Sequence, residues 1–193
     1  MNSFEYLIPL VSVLVGLAVA DLATSFHRLL RARDRVEWDW LPLATALLAA
    51  IVVLKFWWSF YMFQNETSYK VLIGFVPVAI TLVLLFLINA AVLPDKVPEK
   101  GIDLRVFYES NSSYFWILFA TYIFVDIAQL FGNQLMSGLD LISALKESIP
   151  NLILISLVIS LAFIRKRLFH TVVVIVLIVL FITQWYDISL GSV

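Results

Sequence analysis

Six apolar stretches, each close to the length of a bilayer-spanning helix, constrain this chain more than any other feature. They run over residues 6–26, 40–62, 71–93, 114–131, 141–164 and 168–186. The hydrocarbon core of a bilayer takes about 20 apolar residues as a helix. A transmembrane β-barrel would instead need segments of about ten residues that alternate in hydrophobicity. Residues 152–163 and 171–182 are apolar on every side, so the pattern is helical. Composition agrees: 62% of the 193 residues are hydrophobic and 14% are charged. Too little polar surface remains to cover a water-soluble globule of this size. The expected fold is all-α, a single six-helix transmembrane domain with no soluble catalytic domain attached.

The charges orient the bundle. Arg28, Arg31, Arg33 and Arg35 follow the first span, Lys96, Lys100 and Arg105 the third, and Arg165, Lys166 and Arg167 the fifth. Lys70 and Lys146 are the only basic residues on the other side, and Lys55 lies within a span. The positive-inside rule therefore puts both termini on the non-cytoplasmic side. Trp38, Trp40, Tyr108, Tyr114 and Trp116 fall at the inner boundary. Tyr6, Trp57, Trp58, Tyr61, Tyr69, Trp185 and Tyr186 fall near the outer one. These are the two aromatic belts expected at headgroup depth. The first span is too long for a signal-peptide apolar core and has Glu5 but no Lys or Arg before it, so it reads as a permanent helix. The longest polar stretches, 29–39 and 94–111, are inner loops, the second ending in a short interfacial helix over 103–110. Asn65-Glu66-Thr67 and Asn111-Ser112-Ser113 match a glycosylation pattern by chance, since they fall on opposite sides of the membrane.

Several short motifs carry a likeness. Phe4-Glu5-Tyr6 through Gly16-Leu17-Ala18-Val19 to Arg28-Leu29-Leu30-Arg31, then Phe56-Trp57-Trp58, Asp103-Leu104-Arg105-Val106-Phe107-Tyr108 and Arg167-Leu168-Phe169-His170 resemble a family of small uncharacterised bacterial membrane proteins. The resemblance implies six helices in a bacterial inner membrane and brings no activity with it. The six-helix bacterial relatives of the lysosomal potassium channel are a weaker likeness, because their Phe-Ser-Asp motif is absent and Asp21 follows Ala20. A three-plus-three inverted repeat is also suggested. Asp21-Leu22-Ala23-Thr24-Ser25-Phe26 reads against Asp126-Ile127-Ala128-Gln129-Leu130-Phe131, and Asn89 and Gln184 follow apolar runs at corresponding helix ends. Inverted repeats are characteristic of secondary transporters, although short matches arise easily in a chain this rich in Leu, Ile, Val and Ala.

Ionisable groups inside a membrane cost about 2.5–3.5 kcal/mol at mid-helix on insertion scales and are functional candidates by default. Asp21, Lys55 and Asp126 qualify, and the amide of Asn89 joins them as a transport-path candidate. Their structural readings are a helix-end pair of Asp21 with Arg28 or another inner-loop arginine, snorkelling of Lys55, and pairing of Asp126 with Lys55 across the second and fourth helices. Ser12, Gly16, Ala20 and Thr24 form a small-residue stripe, a helix-packing face whose partner is either this chain or a second copy. Pro77 bends the entry of the third span. Pro150 either kinks a long helix starting at Leu141 or opens a short one capped by Ser148.

No metal or cofactor is expected. There is no cysteine, and His27 and His170 sit at inner helix ends with no carboxylates completing a ligand set. No H-E-x-x-H, G-x-S-x-G or P-loop motif is present, so the chain does not read as an enzyme. The balanced charge excludes a nucleic-acid partner. A small transporter or oligomeric channel using the interior charges is the first functional expectation. A non-transporting accessory protein, positioning a partner or holding anionic lipid with its basic inner loops, is the alternative.

Overall fold

In the computed structural model, six helices occupy the six apolar stretches; the backbone is described for residues 3–60 and 72–183, and the side chains for 7–60 and 74–183. The helices are α1 (Ser3–Arg31), α2 (Trp40–Phe60), α3 (Leu72–Val92), α4 (Leu104–Met136), α5 (Leu141–Phe163) and α6 (Arg167–Thr183). The first five are long and apolar enough to cross a membrane, and α6 as described has 17 residues. The protein is an all-α polytopic bundle. Readings that concern Lys70, Asn65, Gln184 and the aromatics at 6, 61, 69, 185 and 186 lie outside the described side chains.

Each helix takes its position from which face is apolar and how its ends are closed. In α1 the buried face is the stripe Val11, Val15, Ala18, Leu22, Ser25 and Leu29, spaced alternately by four and three residues like the seam of a coiled coil. That stripe rests on α2 and α3. Gly16, Ala20 and Thr24 face outward instead, and Gly16 has open space where a Cβ would stand. Apart from Ser12, whose Oγ accepts a 3.5 Å bond from Trp57 Nε1, the small-residue stripe has no described partner in the chain. The reason is geometric in the first turns, where Val11 and Val15, one position before Ser12 and Gly16, already fill the seam.

Helix α2 lies centrally, packed by α1, α3 and α6 and touching α4, while α4 pairs most closely with α5 and α3. The two halves are therefore packed differently. Helix α1 rests mainly on α3, whereas α4 rests mainly on α5, and α6 joins the bundle through α2. The packing does not repeat the short match around Asp21 and Asp126.

Helix α4 begins ten residues before the apolar stretch that announces it. Asp103 caps it, accepting from the N–H groups of Arg105 (2.7 Å) and Val106 (3.3 Å). The expected separate helix over 103–110 is thus the first part of α4 itself. Its polar run survives inside a helix because Ser110 bonds back to Phe107 O, while Asn111 and Ser113 donate to the Ala91 and Ala162 carbonyls of α3 and α5. The matched Asn111-Ser112-Ser113 triplet is therefore helical. At the other end, Ser137-Gly138 closes α4 in a Schellman turn. Leu139 N–H donates to Gln134 O, Gly138 N–H donates to Leu135 O, and Gly138 takes φ of 90°. Asp140 then caps α5. The hydroxyl and N–H of Ser143 hold the Asp140 carboxyl below the usual aspartate value. Pro150 is thus inside a helix running from Leu141, and Ser148 bonds back to Ala144 O at 2.9 Å instead of capping.

The polar connections at one end are locked together. After α1 the chain makes a short 3₁₀ turn, Arg33–Arg35, and then β1, Val36–Glu37. That strand pairs in parallel with β2, Ile102–Asp103, in the register Val36 with Ile102 and Glu37 with Asp103. Gly101 permits this approach. It adopts φ of 87°, and a Cβ there would lie 2.7 Å from the Arg35 carbonyl oxygen.

Candidate functional site

The four interior candidates fall into two separate groups. Asp21 on α1 and Asn89 on α3 lie on helices that pack against each other, toward the end rich in arginine. Asp21 stands seven residues, about 10 Å, before Arg28. Arg28 donates from Nη1 to the Asp95 carbonyl at 2.7 Å, and Asp21 is in none of the described ion pairs, so the expected local pair is not formed. Asn89 is 1% exposed and donates its amide to Leu85 O of its own helix. Asp21 Oδ2, Ser25 Oγ and Asn89 Oδ1 are buried and find no hydrogen-bond partner within the protein.

Lys55 on α2 and Asp126 on α4 form the second group. Their charges act on each other, as expected for helices 2 and 4, but the two are not among the ion pairs with N···O of 4.0 Å or less. The Lys55 ammonium also stands 5.0 Å from the centroid of the Phe181 ring of α6, in cation–π range. Lys55 is half-buried and Asp126 is exposed on its helix face. Nearby, Gln129 Nε2 donates to Thr81 Oγ1 at 3.2 Å, tying α4 to α3.

A column of aromatic rings runs between the second group and the arginine-rich end. Trp116 and Phe119 are both fully buried, with centroids 5.6 Å apart; Phe119 meets Phe181 at 6.3 Å and Tyr122 at 6.1 Å. At its lower end Trp116 stands 6.4 Å from the imidazole of His170. Ring contacts thus run from His170 to Lys55. Trp116 and Tyr108, expected in an interfacial belt, are instead core residues, because the helical start of α4 carries them into the bundle. Trp38, Trp40 and Tyr114 remain exposed, as a belt requires.

Below the column lies a cavity of about 380 Å³ lined by Arg105, Tyr108, Glu109, Arg165, Arg167 and His170 together with Leu41 and Ser112. Its floor is a chain of hydrogen bonds. Ile164 O, an obligate acceptor, lies 2.7 Å from His170 Nε2, so in the neutral ring Nε2 carries the proton and Nδ1 accepts. Tyr108 therefore donates its hydroxyl to Nδ1 at 2.8 Å and accepts from Trp116 Nε1 at 3.2 Å. Both imidazole nitrogens are engaged, which leaves His170 no lone pair for a metal. His27 is exposed on α1, and no metal-holding group of His, Asp and Glu occurs among the described residues. Arg167 Nη2 meets Asp39 Oδ2 at 2.6 Å, and Arg105 Nε meets Glu109 Oε1 at 2.9 Å.

A second, more open groove of about 650 Å³ is lined by Arg28, Arg31, Arg35, Lys96 and Asp95 with Ala32 and Val97. The tertiary structure thus gathers the basic residues after α1, α3 and α5 at one end of the bundle. Sequence reasoning missed the Tyr108–His170–Ile164 chain and the Asp39–Arg167 pair. Their partners are 62 and 128 residues apart for the two long-range bonds, and no local pattern announces them. Comparison of the chain with known protein families, with curated proteins and with solved structures finds no match.

Proposed function

We propose that this protein is a non-transporting accessory protein of the membrane, whose arginine-rich end faces the cytoplasm and holds anionic lipid or positions a partner there. The observation that carries this reading is the ring column. Large side chains fill the bundle between Lys55 on one side and the basic cavity on the other, and neither that cavity nor the groove is lined by Asp21, Lys55 or Asp126. The connections at the basic end are also tied down, by the β1–β2 pairing, the Arg28–Asp95 bond and the Arg167–Asp39 pair. A fixed surface of this kind suits binding better than gating, which needs elements of low local stability. Reconstituted in proteoliposomes and assayed against a panel of ions, the protein should give no flux above empty vesicles. Selective flux would overturn this reading.

A small transporter or channel is the second reading, favoured by the interacting charges of Lys55 and Asp126 in apolar helices. It requires that Asp21→Asn or Asp126→Asn leave expression intact and change the flux.

A further inference from the structure

We propose that the cavity between the start of α4 and the α5–α6 turn binds the phosphate of an anionic phospholipid headgroup, with Arg105, Arg165 and Arg167 as its donors. The inference deepens the accessory reading by naming what the basic end holds.

Charge is the first argument. Three guanidinium groups line the cavity, and among the described residues Glu109 is the only lining carboxylate. Glu109 takes one N–H of Arg105, and Asp39 takes one of Arg167. Each guanidinium has five N–H donors in a planar fork suited to phosphate oxygens, so both retain free donors while their carboxylates hold them in place. Arg165 is in none of the described ion pairs and adds an uncompensated positive charge. Arg167 also opens α6, whose first-turn N–H groups favour an anion.

Depth and the neighbouring apolar side chains point to a lipid. The arginine at the cavity wall is fixed to Asp39, which lies between Trp38 and Trp40. Both rings are exposed, and exposed tryptophans at helix ends sit at headgroup level. On either side of the Arg165–Arg167 turn, Phe163 and Leu168 are each 76% exposed. A basic cavity with exposed apolar side chains beside its arginines in the chain matches a molecule that carries a phosphate and acyl chains together. A soluble phosphate has no use for the apolar side chains.

The test uses the purified full chain in detergent, titrated with dioctanoyl phosphatidate, dioctanoyl phosphatidylcholine and inorganic phosphate. Phosphatidate should bind saturably and at least about tenfold more tightly than either of the others. Arg165→Gln and Arg105→Gln should each weaken phosphatidate by about tenfold, whereas Arg31→Gln, in the other groove, should not. The side chains of Arg165 and Arg105 are exposed, and circular dichroism of both variants should match the parent. Phosphatidate affinity unchanged in both variants would overturn the proposal. Inorganic phosphate binding as tightly as phosphatidate would overturn the lipid assignment and make the site one for a soluble phosphate. Either result leaves the flux assay, and with it the accessory reading, standing or falling on its own.

Discussion

His170 illustrates how a polar side chain is kept at the start of an apolar helix. It is 3% exposed, and each ring nitrogen meets one partner, a tyrosine hydroxyl on one side and a backbone carbonyl on the other. Tyr108 is itself held by Trp116, so removing its hydroxyl strands two buried groups at once. Leaving a buried donor or acceptor unpaired costs about 1–3 kcal/mol. Tyr108→Phe should therefore destabilise the protein by about that amount, measured as a loss of thermal stability in detergent. An unchanged midpoint would mean that water replaces the hydroxyl. Lys55 and Asp126 invite a different expectation. Had they met in a closed, buried pair, breaking it would have cost about 3–5 kcal/mol. The two instead act on each other without contact, and Asp126 is exposed on its helix. A double-mutant cycle with Lys55→Met and Asp126→Leu should give a coupling of about 1 kcal/mol, within the range for neighbouring residues. A value near zero would show that the two charges do not stabilise each other.

Among the elements, the junctions are more informative than the helices. Among the described residues two glycines take positive φ, and they differ in what surrounds them. At Gly138 the space is open, so Gly138→Ala meets only the backbone penalty of about 1–2 kcal/mol for a left-handed residue. At Gly101 a Cβ would also press on the Arg35 carbonyl at 2.7 Å, and that carbonyl belongs to backbone tied into the β1–β2 pairing. Gly101→Ala should thus be the more destabilising of the two, and hydrogen exchange at Val36 and Ile102 should rise in it alone. Equal losses in both variants would show that the parallel pairing adds little. The helices themselves end for local reasons: Asp103 and Asp140 open α4 and α5, and the Schellman turn at Gly138 closes α4.

At the scale of the molecule, the bundle sorts its charge by end. Arg28, Arg31, Arg35 and Lys96 share one groove, and Arg105, Arg165 and Arg167 share one cavity, although they come from three separate connections. A membrane with an anionic inner leaflet and a negative-inside potential retains such an end in the cytoplasm. Reporter fusions at either terminus should accordingly report a non-cytoplasmic location. A cytoplasmic signal from either would reverse the orientation or change the number of crossings.

Hydrophobic length alone determined that there are six helices, and nearly where five of them lie, because a bilayer-scale apolar run has no other way to satisfy its backbone. Loop charge likewise marked which connections would gather at one end. Only the tertiary structure decided the rest. The start of α4 was hidden in a polar run, since Ser110, Asn111 and Ser113 satisfy their polar groups by bonding helix carbonyls, two of them on neighbouring helices. Small residues 16, 20 and 24 face outward, and the stripe beside them, from Val11 to Leu29, is the face that meets α2 and α3. The basic cavity depends on Asp39 meeting Arg167 and Tyr108 meeting His170. Such meetings are set by which helices pack together, and in a chain whose spans are apolar nearly all round, the sequence pattern carries no preference for one neighbour over another.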